Sequence, residues 1–257
     1  MSVRKLRKAG GDMKTAPPRF KNMKVLLAFD NDGVLRDESG SYQRCVTETV
    51  SFFDRGRIAT PKELRESMIQ SNNDWERTHG ILMQRGVRVG FERVKRHFQD
   101  LYLGRERDFS GYINDEPWLA DNGLLAKLAE MQRLVIVSGA PRKEIEYTLG
   151  RNEASDYFCF IWGMRKSKGK GDGLKKAIAL FRPELTCFCD DRPSPIKSVL
   201  GLDLNNLFAY GILPPHAGRG WRKTLLDAGA REVFSDVNEY CRFLLDSFEA
   251  QEQKGLV

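Results

Sequence analysis

The chain has 257 residues, 41% hydrophobic, 30% charged and 10% aromatic, an ordinary globular composition for one large or two modest domains. Collagen-like, coiled-coil and fully disordered readings are excluded, and no run of about 18 apolar residues offers a membrane span. Lys and Arg number 42 against 35 Asp and Glu, a net charge of +7 that favours anionic partners.

Part of that charge is local. Arg4, Lys5, Arg7, Lys8, Lys14, Arg19, Lys21 and Lys24 face one acid, Asp12, in the first 24 residues. Residues 1–21 are expected to be a flexible, solvated basic tail. It lacks the apolar segment of a secretory signal, and nucleic acid is not expected as a partner. The run Lys24–Phe29 then leads into Asp30, and its continuous apolar character predicts a strand buried on both faces. From 38 to 111 the character changes: 41–54, 61–71, 74–84 and 90–103 read as amphipathic helices, the second opened by the capping box Thr60-Pro61-Lys62-Glu63. Apolar runs return at Leu134–Val137, Phe158–Trp162, Thr186–Cys189 and Leu207–Tyr210, with helical patterns at 141–149, 173–180, 195–200, 221–226 and 236–248, the last with Asp236 as N-cap. Alternating strands and helices predict an α/β fold with a parallel sheet. The expected division is a core formed by 22–37 and 112–250, with an inserted all-α module at 38–111; an insertion of that length commonly covers a site.

Chemistry-bearing residues fall at the ends of the predicted strands, where parallel sheets collect ligands. Asp30-Asn31-Asp32-Gly33 places two carboxylates two residues apart in a tight loop. That pattern suits covalent phosphoryl transfer, one carboxylate attacking phosphorus while the other protonates the leaving oxygen. Ser138-Gly139 offers a hydroxyl and a free N–H for a phosphate oxygen. Lys166, Lys168 and Lys170 precede a helix, and one of them would neutralise the attacking carboxylate and the phosphoryl group. Asp190-Asp191 would form, with Asp30, an oxygen-ligand site of the kind Mg²⁺ prefers. Five cysteines, Cys45, Cys159, Cys187, Cys189 and Cys241, are odd in number and scattered, so buried, reduced thiols in a cytoplasmic protein are expected rather than a disulfide framework or a zinc site.

In this order the motifs resemble those of the haloacid dehalogenase superfamily of phosphohydrolases, and the helical insert resembles the cap of its phosphoglycolate-phosphatase-like subfamily. Asp30 and Asp32 match the first motif, Ser138 the second, Lys170 the third (with Lys168 as the alternative), and Asp190-Asp191 the acidic fourth. The resemblance implies a Rossmann-like core with strand order 5-4-1-2-3 and an all-α cap. It implies Asp30 as nucleophile, Asp32 as acid and then base, and Lys170 beside them. Ser138 and the Gly139 N–H would bind phosphate, and Mg²⁺ would be held by Asp30, the backbone carbonyl of Asp32 and Asp191, with Asp190 adjacent. The implied partner is a small phosphorylated metabolite, as monomer or homodimer. Two departures from the family pattern stand out: Pro195 occupies the later acidic position of the fourth motif, and Lys170-Gly171-Asp172-Gly173 replaces a Lys-Pro-x-Pro pattern, which is expected to loosen the lysine's loop. Within the insert, Asn73, Trp75, Arg77 and His79 are expected to contact substrate, with Arg142 at the entrance. A phosphomutase and a catalytically weakened binding protein are the alternatives to a phosphatase. A receiver domain is excluded, because its acidic pair precedes the phosphoryl-accepting Asp.

Overall fold

The computed structural model describes residues 20, 23–71, 73–164 and 169–249. Apart from Phe20, the expected basic tail therefore lies outside the described residues, as does Lys168. Phe20 itself is buried against Phe248, ring centroids 5.4 Å apart, so packed structure already begins inside the stretch expected to be flexible.

Six strands form one parallel sheet: β1 Val25–Phe29, β2 Arg133–Val137, β3 Phe158–Trp162, β4 Leu185–Asp190, β5 Leu207–Ile212 and β6 Val233–Phe234. Their spatial order is β3-β2-β1-β4-β5-β6, which extends the expected 5-4-1-2-3 by one edge strand. Alternation along the strands divides the core between two faces. Val25, Leu27 and Phe29 point to a layer with helices α5 (Asn122–Met131), α6 (Arg142–Arg151) and α10 (Val237–Glu249). Leu26 and Ala28 point to a layer with α7 (Lys170–Phe181), α8 (Pro193–Leu200) and α9 (Trp221–Asp227). Burial on both faces is what continuous apolar strand sequences encode.

Helix α5 is the element that strand and helix periodicity did not single out. Asp121 caps it, accepting from Gly123 N at 2.7 Å and Leu124 N at 3.3 Å, and Leu125 and Leu128 fix it to the sheet. Four further helices lie between β1 and β2: α1 Ser39–Phe53, α2 Pro61–Gln70, α3 Asp74–Gln84 and α4 Phe91–Leu103. They have a core of their own, with Val46, Leu82, Val94 and Phe98 buried in it. The Thr60 capping box is present, Thr60 N donating to Glu63 Oε2 at 2.8 Å and Glu63 N to Thr60 Oγ1 at 3.3 Å. The two chain crossings between this module and the sheet run side by side: Asp37 N donates to Pro117 O at 3.0 Å and Leu119 N to Leu35 O at 2.8 Å. All five cysteines are free, but Cys159 is exposed on edge strand β3, which corrects the expectation that every thiol is buried. Among the described residues no helix is long and apolar enough to cross a membrane.

Candidate active site

Strand β1 lies at the point where the chain order of the sheet reverses, with β2 on one side and β4 on the other. Open α/β sheets leave a crevice there, beyond the strands' carboxyl ends. Asp30 follows β1, Ser138 follows β2, and Asp190 ends β4; Asp30 N donates to Cys189 O at 3.0 Å and locks the first and last of these ends together. Asp30, Asp190 and Asp191, all buried, each offer an oxygen within 4.8 Å of the others. Lys170, the first residue of α7, places Nζ 2.6 Å from Asp30 Oδ2 and 2.6 Å from Asp190 Oδ2. Motifs far apart in sequence thus share one crevice.

Three buried carboxylates share one ammonium and the half-exposed guanidinium of Arg192, 3.9 Å from Asp191 Oδ2, which leaves negative charge uncompensated. Burial, reinforced by Asp190 and Asp32, raises the Asp30 carboxyl to about 7 even though Lys170 opposes the shift. Asp191 is raised well above the ordinary carboxylate range, by burial first and by Asp190 next. Asp190 uses both its oxygens: Oδ2 takes Lys170, and Oδ1 accepts from Arg192 N at 2.9 Å. By contrast, Asp30 Oδ1 and Asp191 Oδ1 are buried with no hydrogen-bond partner. Two orphaned carboxylate oxygens in a cluster short of positive charge are the donor set a hard divalent cation takes. Gly33 makes the cluster possible. Its φ is +73°, and a Cβ there would lie 2.5 Å from Asp191 Oδ2.

The Asp32 carboxylate points away from this cluster. Its Oδ1 accepts from Arg36 Nε and Asn31 Nδ2, both at 2.7 Å. Arg36 is fully buried, and its Nη1 also lies 2.7 Å from Glu116 Oε2 and donates to Thr148 Oγ1 at 3.1 Å. Although burial acts against it, the guanidinium beside Asp32 holds its carboxyl below the usual range. The Asp32 side chain is therefore not one of the clustered carboxylates.

A cavity of about 290 Å³ opens over the crevice, between the strand ends and the helical module. Asp30, Asp32, Ser138, Gly139 and Lys170 line it. Ser138 Oγ accepts from Ala140 N at 3.1 Å, which leaves its hydroxyl hydrogen free to donate. Asn73 and Trp75 also line it, although Asn73 Oδ1 is used as the cap of α3, accepting from Trp75 N at 3.0 Å. Three expected contacts fall outside the lining. Arg142 is exposed and bound to Glu146 one turn on, Nε to Oε1 2.7 Å. Arg77 turns to Asp74 and to Ser67 Oγ. His79 Nε2 meets Val89 O at 3.0 Å. Each of these has a local partner that competes with the cavity.

The cavity adds residues that sequence reading did not select: Tyr42, Phe98, Gln99 and Tyr102 from α1 and α4, Glu144 from α6, and Arg192 after the acidic pair. Only Arg192 had a signal, its position next to Asp191; the others depend on how the module sits on the sheet.

No protein-family model matches the chain. A curated relative, imidazoleglycerol-phosphate dehydratase of Phytophthora nicotianae, is 30% identical over 145 residues, and the match spans 53% of this chain but only 31% of that protein. Solved structures match over nearly their whole length. A β-phosphoglucomutase candidate of Thermotoga maritima superposes with a TM-score of 0.68 at 17% identity, covering 87% of this chain and 99% of that one. A phosphatase of Thermococcus thioreducens gives 0.63 at 20% identity, with 86% and 99% covered. A haloacid dehalogenase-like hydrolase family protein of Streptococcus pneumoniae gives 0.63 at 15% identity, with 86% and 98% covered. The fold is therefore that of the haloacid dehalogenase-like proteins.

Proposed function

We propose that this chain is a Mg²⁺-dependent phosphatase that hydrolyses a small organic phosphate monoester through an aspartyl-phosphate on Asp30. The observation that carries the reading is the contact of Lys170 with Asp30 inside a crevice that also holds Asp191 and Ser138. Asp30 attacks phosphorus, and Lys170 offsets both its charge and that of the transferring group. The Ser138 hydroxyl and the Gly139 N–H orient the phosphoryl oxygens. Asp30, Asp191 and the backbone carbonyl of Asp32 would hold the metal, which would offset the charge of the clustered carboxylates and of the phosphoryl oxygens. Asp32, held ionised by Arg36, is in the state that takes a proton from water in the second step. To protonate the leaving oxygen in the first step, it must come off Arg36 and gain a proton. Helices α1–α4 act as the cap that closes the crevice and selects the alcohol.

The fold of phosphatases and the volume of the cavity support a small substrate. The Phytophthora relative is named for a reaction on a small phosphate ester; its dehydratase activity is not carried over, since the match spans 31% of it. Free thiols fit a cytoplasmic location. The test is phosphate release from an aryl phosphate with and without Mg²⁺. Asp30→Asn should lose at least about 10³-fold in kcat while melting as a folded protein. Retained turnover in that variant refutes the nucleophile, and isomerisation of a sugar phosphate without phosphate release would indicate a mutase.

A further inference from the structure

Glu144 is a buried carboxyl, 4% exposed, that lines the cavity from the first turn of α6. Its side chain has no hydrogen-bond or ion-pair partner among the described residues. Around it three carboxyls, those of Asp32, Glu116 and Glu144, share the single guanidinium of Arg36, and Arg36 bonds only to the first two. Burial raises Glu116 to about 7 and Glu144 to about 8, with Arg36 opposing the shift in both and Asp32 reinforcing it. Helices α1 and α4 add aromatic rings to the lining. Tyr42 stands edge-on to Tyr102, centroids 4.9 Å apart, and to Phe98 at 6.1 Å, and all three rings line the cavity.

We propose that the alcohol part of the substrate carries a protonated nitrogen, an amine or an imidazolium, received by Glu144 and by the rings of Tyr42, Phe98 and Tyr102. The inference rests on the phosphatase reading of the same crevice and names the substrate class within it. An acid and aromatic rings lining one cavity are a combination that binds organic cations, the rings supplying cation–π attraction and the acid a counter-charge. A bound cation also draws the proton off Glu144, so the acid becomes a charged acceptor when it is needed. Glu144 and the three rings line the same cavity as Lys170 and Ser138, so one ligand can meet both sets. The cavity's volume, about 290 Å³, suits a phosphate joined to a short alcohol.

The full chain, loaded with Mg²⁺, is the protein to test. Phosphoethanolamine and imidazolylethyl phosphate are compared with the neutral ethylene glycol monophosphate, both for turnover and, in Asp30→Asn, for Kd by calorimetry. The cationic esters should win by about tenfold or more in kcat/KM and in Kd, and Glu144→Gln should bring both ratios close to one. Aryl phosphate hydrolysis is followed in parallel. If that hydrolysis fails while the Kd ratio holds, the phosphatase reading falls and the cation site stands. If the aryl ester is turned over and the wild-type ratios are near one, the cation site is overturned. Preserved ratios in Glu144→Gln overturn it equally. The wild-type ratios need no variant, so a Glu144→Gln chain that fails to fold still leaves the proposal decided.

Discussion

Gly33→Ala tests the acidic cluster through the backbone rather than through a ligand. The substitution has two costs. With φ at +73°, an alanine is held in the left-handed region, at roughly 1–2 kcal/mol. The new Cβ would also lie 2.5 Å from Asp191 Oδ2 and 2.7 Å from its Cγ, where ordinary contact begins at 3.4 Å. The carboxylate or the loop must therefore yield by nearly an ångström, whereas metal–ligand distances tolerate about 0.2 Å. Gly56→Ala separates the two costs. Its φ is +85° with nothing within 4 Å of the new Cβ, so it carries the backbone penalty without the collision. Both variants should lose about 1–2 kcal/mol from strain, a fall in melting temperature of about 2–8 °C for a chain of this size. Only Gly33→Ala should also weaken the Mg²⁺ half-saturation of aryl phosphate hydrolysis, by about tenfold or more. If Gly33→Ala matches Gly56→Ala in Mg²⁺ dependence and kcat, Asp191 is not a ligand and the cluster has been misread.

The two adjacent acids should separate by function. Asp191→Asn should raise the Mg²⁺ requirement by at least about tenfold, whereas Asp190→Asn should chiefly lower kcat by releasing Lys170, as a Mg²⁺ titration of each variant would read out; the reverse ranking refutes the assignment. Removing Arg36 leaves Asp32 and Glu116 buried without their cation, so Arg36→Met should cost about 3–5 kcal/mol. That is a fall of at least about 6–12 °C in melting temperature, and a loss within a degree or two would show that the pair contributes little.

How much of this was legible in the sequence depends on whether a feature is local. Strands β1 and β2 announce themselves because both faces are covered, so every residue of β1, and of β2 after the exposed Arg133, is apolar and no partner need be known. Helix α5 does not stand out although Asp121, Leu124, Leu125 and Leu128 sit at helical spacing, because its pattern merges into the strand that follows. Asp30, Ser138 and Asp190 were legible because each sits at the end of such a strand, and the sheet order brings them together. Glu144, Tyr42 and Tyr102 were not, because they become neighbours only when α1 and α4 settle over α6. Arg77 and Arg142 stand outside the lining for an opposite reason. Their partners, Asp74 and Glu146, lie within one turn, and a local ion pair had the stronger claim on each guanidinium.

The glycines after Lys170 are the clearest case of a sequence departure whose meaning reverses in three dimensions. Without the expected prolines, Lys170-Gly171-Asp172-Gly173 reads as a loosened segment. In the fold these residues form the first turn of α7, and both glycines are buried. A Cβ on Gly171 would meet Ser198 Oγ at 3.3 Å, and one on Gly173 would lie 2.4 Å from Trp162 Cδ1 and 2.5 Å from Cγ. Glycine here lets the helix approach β3 closely, and that approach fixes where Lys170 emerges; rigidity comes from packing rather than from a restricted φ. Gly173→Ala should therefore push the turn away from Trp162, cost about 1–3 kcal/mol as overpacking does, and lower kcat through a displaced Lys170. Shortening the obstacle should relieve it: Trp162→Leu in the same chain should recover much of the lost kcat, although Trp162→Leu alone leaves a void and destabilises. Stability and kcat measured around this double-mutant cycle decide the matter. Additive losses, with no recovery, would mean that the lysine is positioned by its two aspartates alone and that the close approach of α7 serves only the core.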